Sequence, residues 1–298
     1  MLQVTAGPRR LRRVTDDWED RPYEHLQLRP LSPTIGAEVA GVDLSQVSAA
    51  QAAEIDRALL EWKVLFFANQ HITPAEHRDF AARWGELEVH PFLAQGAVPE
   101  IVRFEKGPDQ QGYENVWHSD VTWRRIPPLG SVLHCVECPP VGGDTLWADM
   151  GAAYDGLPAV VRDRIDGLVA VHDFTRTFGR GLSKDKLEKA RVEYPPVEHP
   201  VVRVHPATGR RTLFVNAPFT SHIVGLDPPE SDRLLETLCA QAQVPEYQCR
   251  FRWAAGSVAF WDNRATQHYA ASDYAPQRRV MERVTIIGDR PVGLPAPG

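Results

Sequence analysis

The apolar positions of this chain switch repeatedly between helical and strand spacing. Behind Ser48, a hydroxyl suited to capping a first turn, Ile55, Leu59 and Leu60 recur at helical intervals and predict a helix ending near Trp62. The continuous apolar run Val64-Leu65-Phe66-Phe67 then reads as a buried strand. Thr73-Pro74-Ala75-Glu76 supplies a cap, a first-turn proline and a glutamate three residues after the cap. A second helix therefore starts there, with Phe80, Ala81 and Trp84 on its apolar face and Gly85 as its stop. Further helices are expected over 152–165 and 227–242. Strands are expected over 131–136, 145–147, 201–205, 212–215, 258–261 and 280–287, with turns at Pro127-Pro128 and from Pro139 to Gly143. Strands spaced by turns, with helices as insertions, predict a mainly β fold with flanking helices: a double-stranded β-helix of jelly-roll or cupin type.

Two stretches stand apart from this pattern. Residues 1–27 are polar and charged and predict a loose arm, ahead of a single domain over 28–298. Residues 175–196 are charged and lack a clear period; a lid over a site and a solvated insertion fit them equally.

Composition narrows the function classes. A net charge of −6 gives no reason to expect nucleic acid or a membrane surface as partner. No apolar run reaches the roughly 20 residues of a membrane span, and the N-terminus, with Arg9, Arg10, Arg12 and Arg13, lacks a signal-like apolar core. A cytoplasmic protein is expected, with homo-oligomerisation left open. Cys135 and Cys138 form a C-x-x-C without a second pair, so they, Cys239 and Cys249 read as reduced thiols rather than a zinc site.

The chemistry centres on Val116-Trp117-His118-Ser119-Asp120-Val121-Thr122-Trp123. This run is β-prone, and residues two apart on a strand share a face, which would present the His118 imidazole and the Asp120 carboxylate together. An H-x-D tripeptide is common by chance, and alone it is more often a hydrogen-bonded pair than a metal site. His268 in Trp261-Asp262-Asn263-Arg264-Ala265-Thr266-Gln267-His268 would complete two histidines and one carboxylate, the facial triad of non-haem Fe(II) oxygenases.

Trp117 to Thr122, Gly142-Gly143-Asp144-Thr145-Leu146-Trp147 and the stretch from Trp261 to Arg283 resemble, in order and spacing, the TauD/TfdA family of Fe(II)- and 2-oxoglutarate-dependent dioxygenases. The resemblance runs from about Leu31 to about Pro291. It implies His118, Asp120 and His268 as iron ligands, and 2-oxoglutarate and O2 as co-substrates. It places Arg279, eleven residues past His268, and Thr145 on the distal carboxylate of 2-oxoglutarate. Arg283 shares strand parity with Arg279 and would face a second anion, the acidic group of the prime substrate; a salt bridge to Glu282 or another carboxylate is the plainer alternative. Arg278, of opposite parity, should point to solvent.

His90, Leu93, Glu114, Asn115, Val116 and Phe178 are the further substrate positions the resemblance implies. His90 and Phe178 match the taurine pattern, whereas Leu93 and Glu114 replace an expected tyrosine and asparagine. A larger, more apolar organic acid is therefore expected, with sesquiterpenoid lactone acids of antibiotic biosynthesis as one example, oxidised by hydroxylation, desaturation or epoxidation. Alkylsulfonate or alkyl-sulfate catabolism stays open beside it. So do two readings from other classes, a cupin-type metal hydrolase or isomerase and a non-catalytic binder of small acids.

Overall fold

The computed structural model describes residues 7–15, 21–91, 97–110, 112 and 114–295. In chain order its strands are β1 (Gln27–Pro30), β2 (Ala37–Ala40), β3 (Val64–Phe67), β4 (Ile101–Lys106), β5 (Pro128–Glu137), β6 (Thr145–Asp149), β7 (Val169–His172), β8 (Val197–Pro200), β9 (Val202–Val204), β10 (Arg211–Leu213), β11 (Thr220–Ile223), β12 (Gln248–Phe251), β13 (Val258–Asp262), β14 (Thr266–Ala270) and β15 (Arg279–Ile287). The α-helices are α1 (Ala49–Trp62), α2 (Pro74–Ala81), α3 (Met150–Asp155), α4 (Ala159–Ile165), α5 (Lys184–Glu193) and α6 (Pro228–Cys239).

Seven strands form the major sheet in the order β1-β2-β3-β13-β5-β15-β4, and β12-β6-β14 form a smaller one. Strand alternation gives the major sheet two different faces. Leu65, Phe67, Val132, Phe260, Val284 and Ile286 pack outward against Ile55, Leu59 and Trp62 of α1 and Phe80 of α2. Val64, Phe66, Leu133, Trp261 and Met281 pack inward against Trp147 of β6 and Phe251 of β12. Two sheets joined by their inner faces, with helices on the outside, make the double-stranded β-helix. Among the described residues no helix is long and apolar enough to cross a membrane.

The expected capping box of Thr73 with Glu76 forms, and the Ser48 cap proves to be part of a second box with Gln51. Four expectations change. The helix expected over 152–165 is two, because Gly156-Leu157-Pro158 interrupts the backbone ladder between α3 and α4. The periodless segment 175–196 contains α5, a helix that buries only Ala190 and so leaves no apolar stripe to read. The turn expected at Pro127-Pro128 gives way at once to β5, which already includes Pro128. The arm is not loose where it is described. Arg13 pairs with Glu61 and stacks on Trp62, its carbonyl accepts from Arg210 Nη1 at 2.8 Å, and Val14 is buried.

Candidate active site

His118 and His268 face each other across a two-residue fragment of ladder. His118 N donates to His268 O at 3.0 Å and His268 N donates to His118 O at 2.8 Å, which sets the imidazole centroids 4.1 Å apart. The expectation of one strand carrying His118 and Asp120 fails, because only His118 makes a β-bridge and the chain turns at Asp120. The turn brings the carboxylate round to the histidines. Val121 adopts φ +51°, a strained conformation for a β-branched residue, at a cost of roughly 1–3 kcal/mol. Buried bonds hold it there. Asn263 accepts from Asp120 N at 2.8 Å and donates to Asp120 O at 3.0 Å; Ser119 Oγ donates to Thr266 O; Thr122 Oγ1 bonds His172 and Asn216.

The donor atoms of His118, Asp120 and His268 lie within 4.8 Å of one another. His118 Nδ1 bonds Val116 O at 2.8 Å, which leaves Nε2 as the lone pair turned toward Asp120 Oδ1, 3.9 Å away. His268 Nε2 lies 4.0 Å from Asp120 Oδ2. Burial and the neighbouring His118 push His268 down to about 3, so its imidazole is neutral at pH 7. Burial would raise the Asp120 carboxyl, but Arg283 and the two imidazoles outweigh it and hold it at about 2. Two imidazole nitrogens and one anionic oxygen fit Fe(II), with positions left for co-substrates.

The triad opens on a cavity of about 170 Å³. Of the expected site residues, Val116, Thr145, Phe178, His90, Glu114, Arg279 and Arg283 line it as well. Asn115 does not: it is exposed and lines a different groove with Trp117 and Tyr269. Leu93 falls outside the described residues.

Arg279 is buried, with Nε donating to Gly143 O at 3.2 Å and Nη2 without a hydrogen-bond partner among the described residues. Gly142 and Gly143, at φ +84° and +71°, let the turn come this close; a Cβ on Gly143 would sit 3.1 Å from Arg279 Cδ. Thr145 Oγ1 accepts from Trp253 Nε1 at 2.9 Å, so its own proton is free for an anion. An unsatisfied guanidinium and a hydroxyl proton facing one cavity fit the distal carboxylate of 2-oxoglutarate. Arg278 points outward to Glu105 and Glu137, as parity predicts.

Arg283 faces inward and pairs with Asp120 itself, Nη1 to Oδ1 at 2.7 Å, not with Glu282, which Arg103 holds on the opposite face. Its Nε has no hydrogen-bond partner among the described residues. His90 is buried against Trp123 and Phe178, and burial followed by Arg283 and Arg124 lowers it to about 3. Sequence reasoning missed Phe104 and Lys106, which share a face of β4 and line the cavity, where Lys106 Nζ pairs with Glu114 at 3.1 Å. The strand alternation of β4 was the signal for them.

The chain matches the family model "Taurine catabolism dioxygenase TauD, TfdA family" over residues 27–285. It is 38% identical over 279 residues to an alpha-ketoglutarate-dependent sulfate ester dioxygenase of Pseudomonas putida, covering 90% of this chain and 92% of that one. It is 36% identical over 281 residues to an alkylsulfatase of Acinetobacter baylyi, covering 91% and 88%. A crystal structure of a taurine dioxygenase from Burkholderia xenovorans superposes with a TM-score of 0.79 at 41% identity, covering 91% and 93%. With a facial triad, an unsatisfied arginine for a keto acid and this likeness over nearly its whole length, the chain belongs to the TauD/TfdA family and is a 2-oxoglutarate-dependent dioxygenase.

Proposed function

We propose that the prime substrate is an alkyl sulfate ester or alkylsulfonate, oxidised at the carbon that bears the sulfur group. The observation that carries this reading is Arg283, a buried guanidinium with Nε unsatisfied, beside the triad in a mainly apolar cavity. Arg283 and His90 would receive the anionic head, and Phe104, Leu133, Phe178 and Phe219 the aliphatic tail. The sulfate ester and alkylsulfatase relatives favour this over the sesquiterpenoid acid expected from sequence, and nothing in the cavity points to antibiotic biosynthesis.

His118, Asp120 and His268 would hold Fe(II), which when bound couples O2 reduction to decarboxylation of 2-oxoglutarate into succinate and CO2. Arg279 and Thr145 orient the keto acid by its far carboxylate, and the head-group pair fixes which C–H bond faces the metal side. The aromatic walls exclude water from that bond. Hydroxylation next to a sulfate ester oxygen gives a hemiacetal-type adduct that collapses to aldehyde and sulfate; next to a sulfonate it releases sulfite.

Succinate, sulfate and sulfite are to be measured with linear alkyl sulfates, alkylsulfonates, taurine and aryloxyalkanoic acids. Sulfate or sulfite release that tracks succinate supports the proposal. Succinate stimulated only by carboxylic acids would refute it.

A further inference from the structure

We propose that His77, His134 and Glu282 form a second divalent-metal site, for zinc or a similar first-row ion, on the outer face of the major sheet. The three residues come from α2, β5 and β15, and their donor atoms lie within 4.8 Å of one another. His134 and Glu282 are directly opposed in the β5–β15 register. One position along, Leu133 and Arg283 are opposed in the same way and face the catalytic cavity. The two clusters therefore lie on opposite faces of the same pair of strands.

The orientation of the side chains is what a metal requires. His77 is fully buried, and its Nε2 bonds Val132 O at 3.0 Å. That bond fixes the tautomer and leaves Nδ1 as a buried lone pair with no partner among the described residues. A buried polar atom of this kind costs about 1–3 kcal/mol unless something meets it. The His134 ring is likewise held by the main chain of Gln70. Histidine ligands characteristically donate their second ring nitrogen to a backbone carbonyl in this way. Arg103 Nη1 holds one oxygen of Glu282 at 2.7 Å, so the carboxylate is oriented and its other oxygen is available.

Two imidazoles, one carboxylate and a water make a common four-coordinate zinc set. Bond lengths of about 2.0–2.1 Å put tetrahedral donors about 3.3 Å apart, so small side-chain rotations would close the site. The alternative is an edge-to-face packing of the two rings, whose centroids are 5.9 Å apart at 73°. Packing explains the ring positions but leaves His77 Nδ1 unmet. An ion there would clamp α2 to β5 and to β15, the strand that carries Arg279 and Arg283.

The test is zinc stoichiometry by equilibrium dialysis of the full chain at micromolar free Zn2+, with elemental analysis. We expect two ions per chain in the wild type, one in His134→Gln, one in Asp120→Ala and none in the double variant. Glu282→Gln, which keeps the Arg103 bond, should weaken the second ion at least tenfold. The zinc-dependent rise in melting temperature should persist in Asp120→Ala and vanish in Asp120→Ala/His134→Gln. A single ion in the wild type, a second ion bound only at millimolar zinc, or two ions retained in His134→Gln would each overturn the site.

Discussion

Replacing Arg279 by methionine should weaken 2-oxoglutarate binding strongly while leaving folding nearly unchanged. Arg279 is a buried cation whose Nε is committed to Gly143 O and whose Nη2 has no hydrogen-bond partner among the described residues. Its burial already lowers its affinity for the proton. The terminal fork is therefore what remains for a carboxylate. Hydrogen bonds to charged groups are worth about 1.5–3 kcal/mol each, and two parallel bonds from one guanidinium are not fully additive. A loss of roughly 3–4 kcal/mol follows, or about 100- to 1,000-fold in 2-oxoglutarate affinity at 1.4 kcal/mol per decade. Folding should respond little. The lost Gly143 bond, about 1 kcal/mol, is offset by removing an unsatisfied buried donor worth about as much. Calorimetric titration of 2-oxoglutarate into the Mn(II)-loaded chain measures the first quantity, and urea unfolding without ligand the second. An affinity loss below about fivefold, or a stability loss above about 2 kcal/mol, would show that Arg279 serves the fold and not the keto acid.

Asp120→Ala should abolish metal retention at the triad and succinate formation together, read by elemental analysis and turnover. Arg283→Ala should weaken the prime substrate about 100-fold while leaving 2-oxoglutarate affinity unchanged; equal loss for both ligands would mean that the two arginines do not divide the anions. Gly143→Ala should raise the KM for 2-oxoglutarate more than it lowers kcat, because its Cβ meets Arg279 Cδ at 3.1 Å and its φ of +71° resists a side chain. Burial would raise Asp262, but Arg264 and then His205 outweigh it and hold the carboxyl well below its ordinary range. Its folded pKa lies below its unfolded one, so its contribution is full above about pH 4 and fades as pH falls further. The stability gap between wild type and Asp262→Asn should therefore hold steady down to about pH 4 and narrow progressively below it in urea titrations.

Elements that bury a regular face were legible in the sequence. Val64-Leu65-Phe66-Phe67, the Ser48 cap and the Thr73–Glu76 capping box were read residue by residue, because local spacing alone determines them. Parity on β15 correctly separated Arg278 from Arg279 and Arg283. What escaped depends on contacts between distant positions. The Asp120–Arg283 pair spans 163 residues, and the turn at Asp120 is held by Asn263, 143 residues away. A β-prone run such as Val116 to Trp123 carries no sign that such bonds will bend it. Helix α5 escaped for the opposite reason: it exposes nearly everything, so no period marks it.

The reciprocal main-chain bonds between His118 and His268 make the spacing of the two imidazoles a property of the backbone. In a zinc finger the ion gathers its ligands and in doing so folds the chain. Here folding has gathered them beforehand, so the entropy of assembling the ligands is charged to the barrel and not to the ion. Loss or oxidation of an iron held there would leave the two imidazoles at their backbone-set spacing.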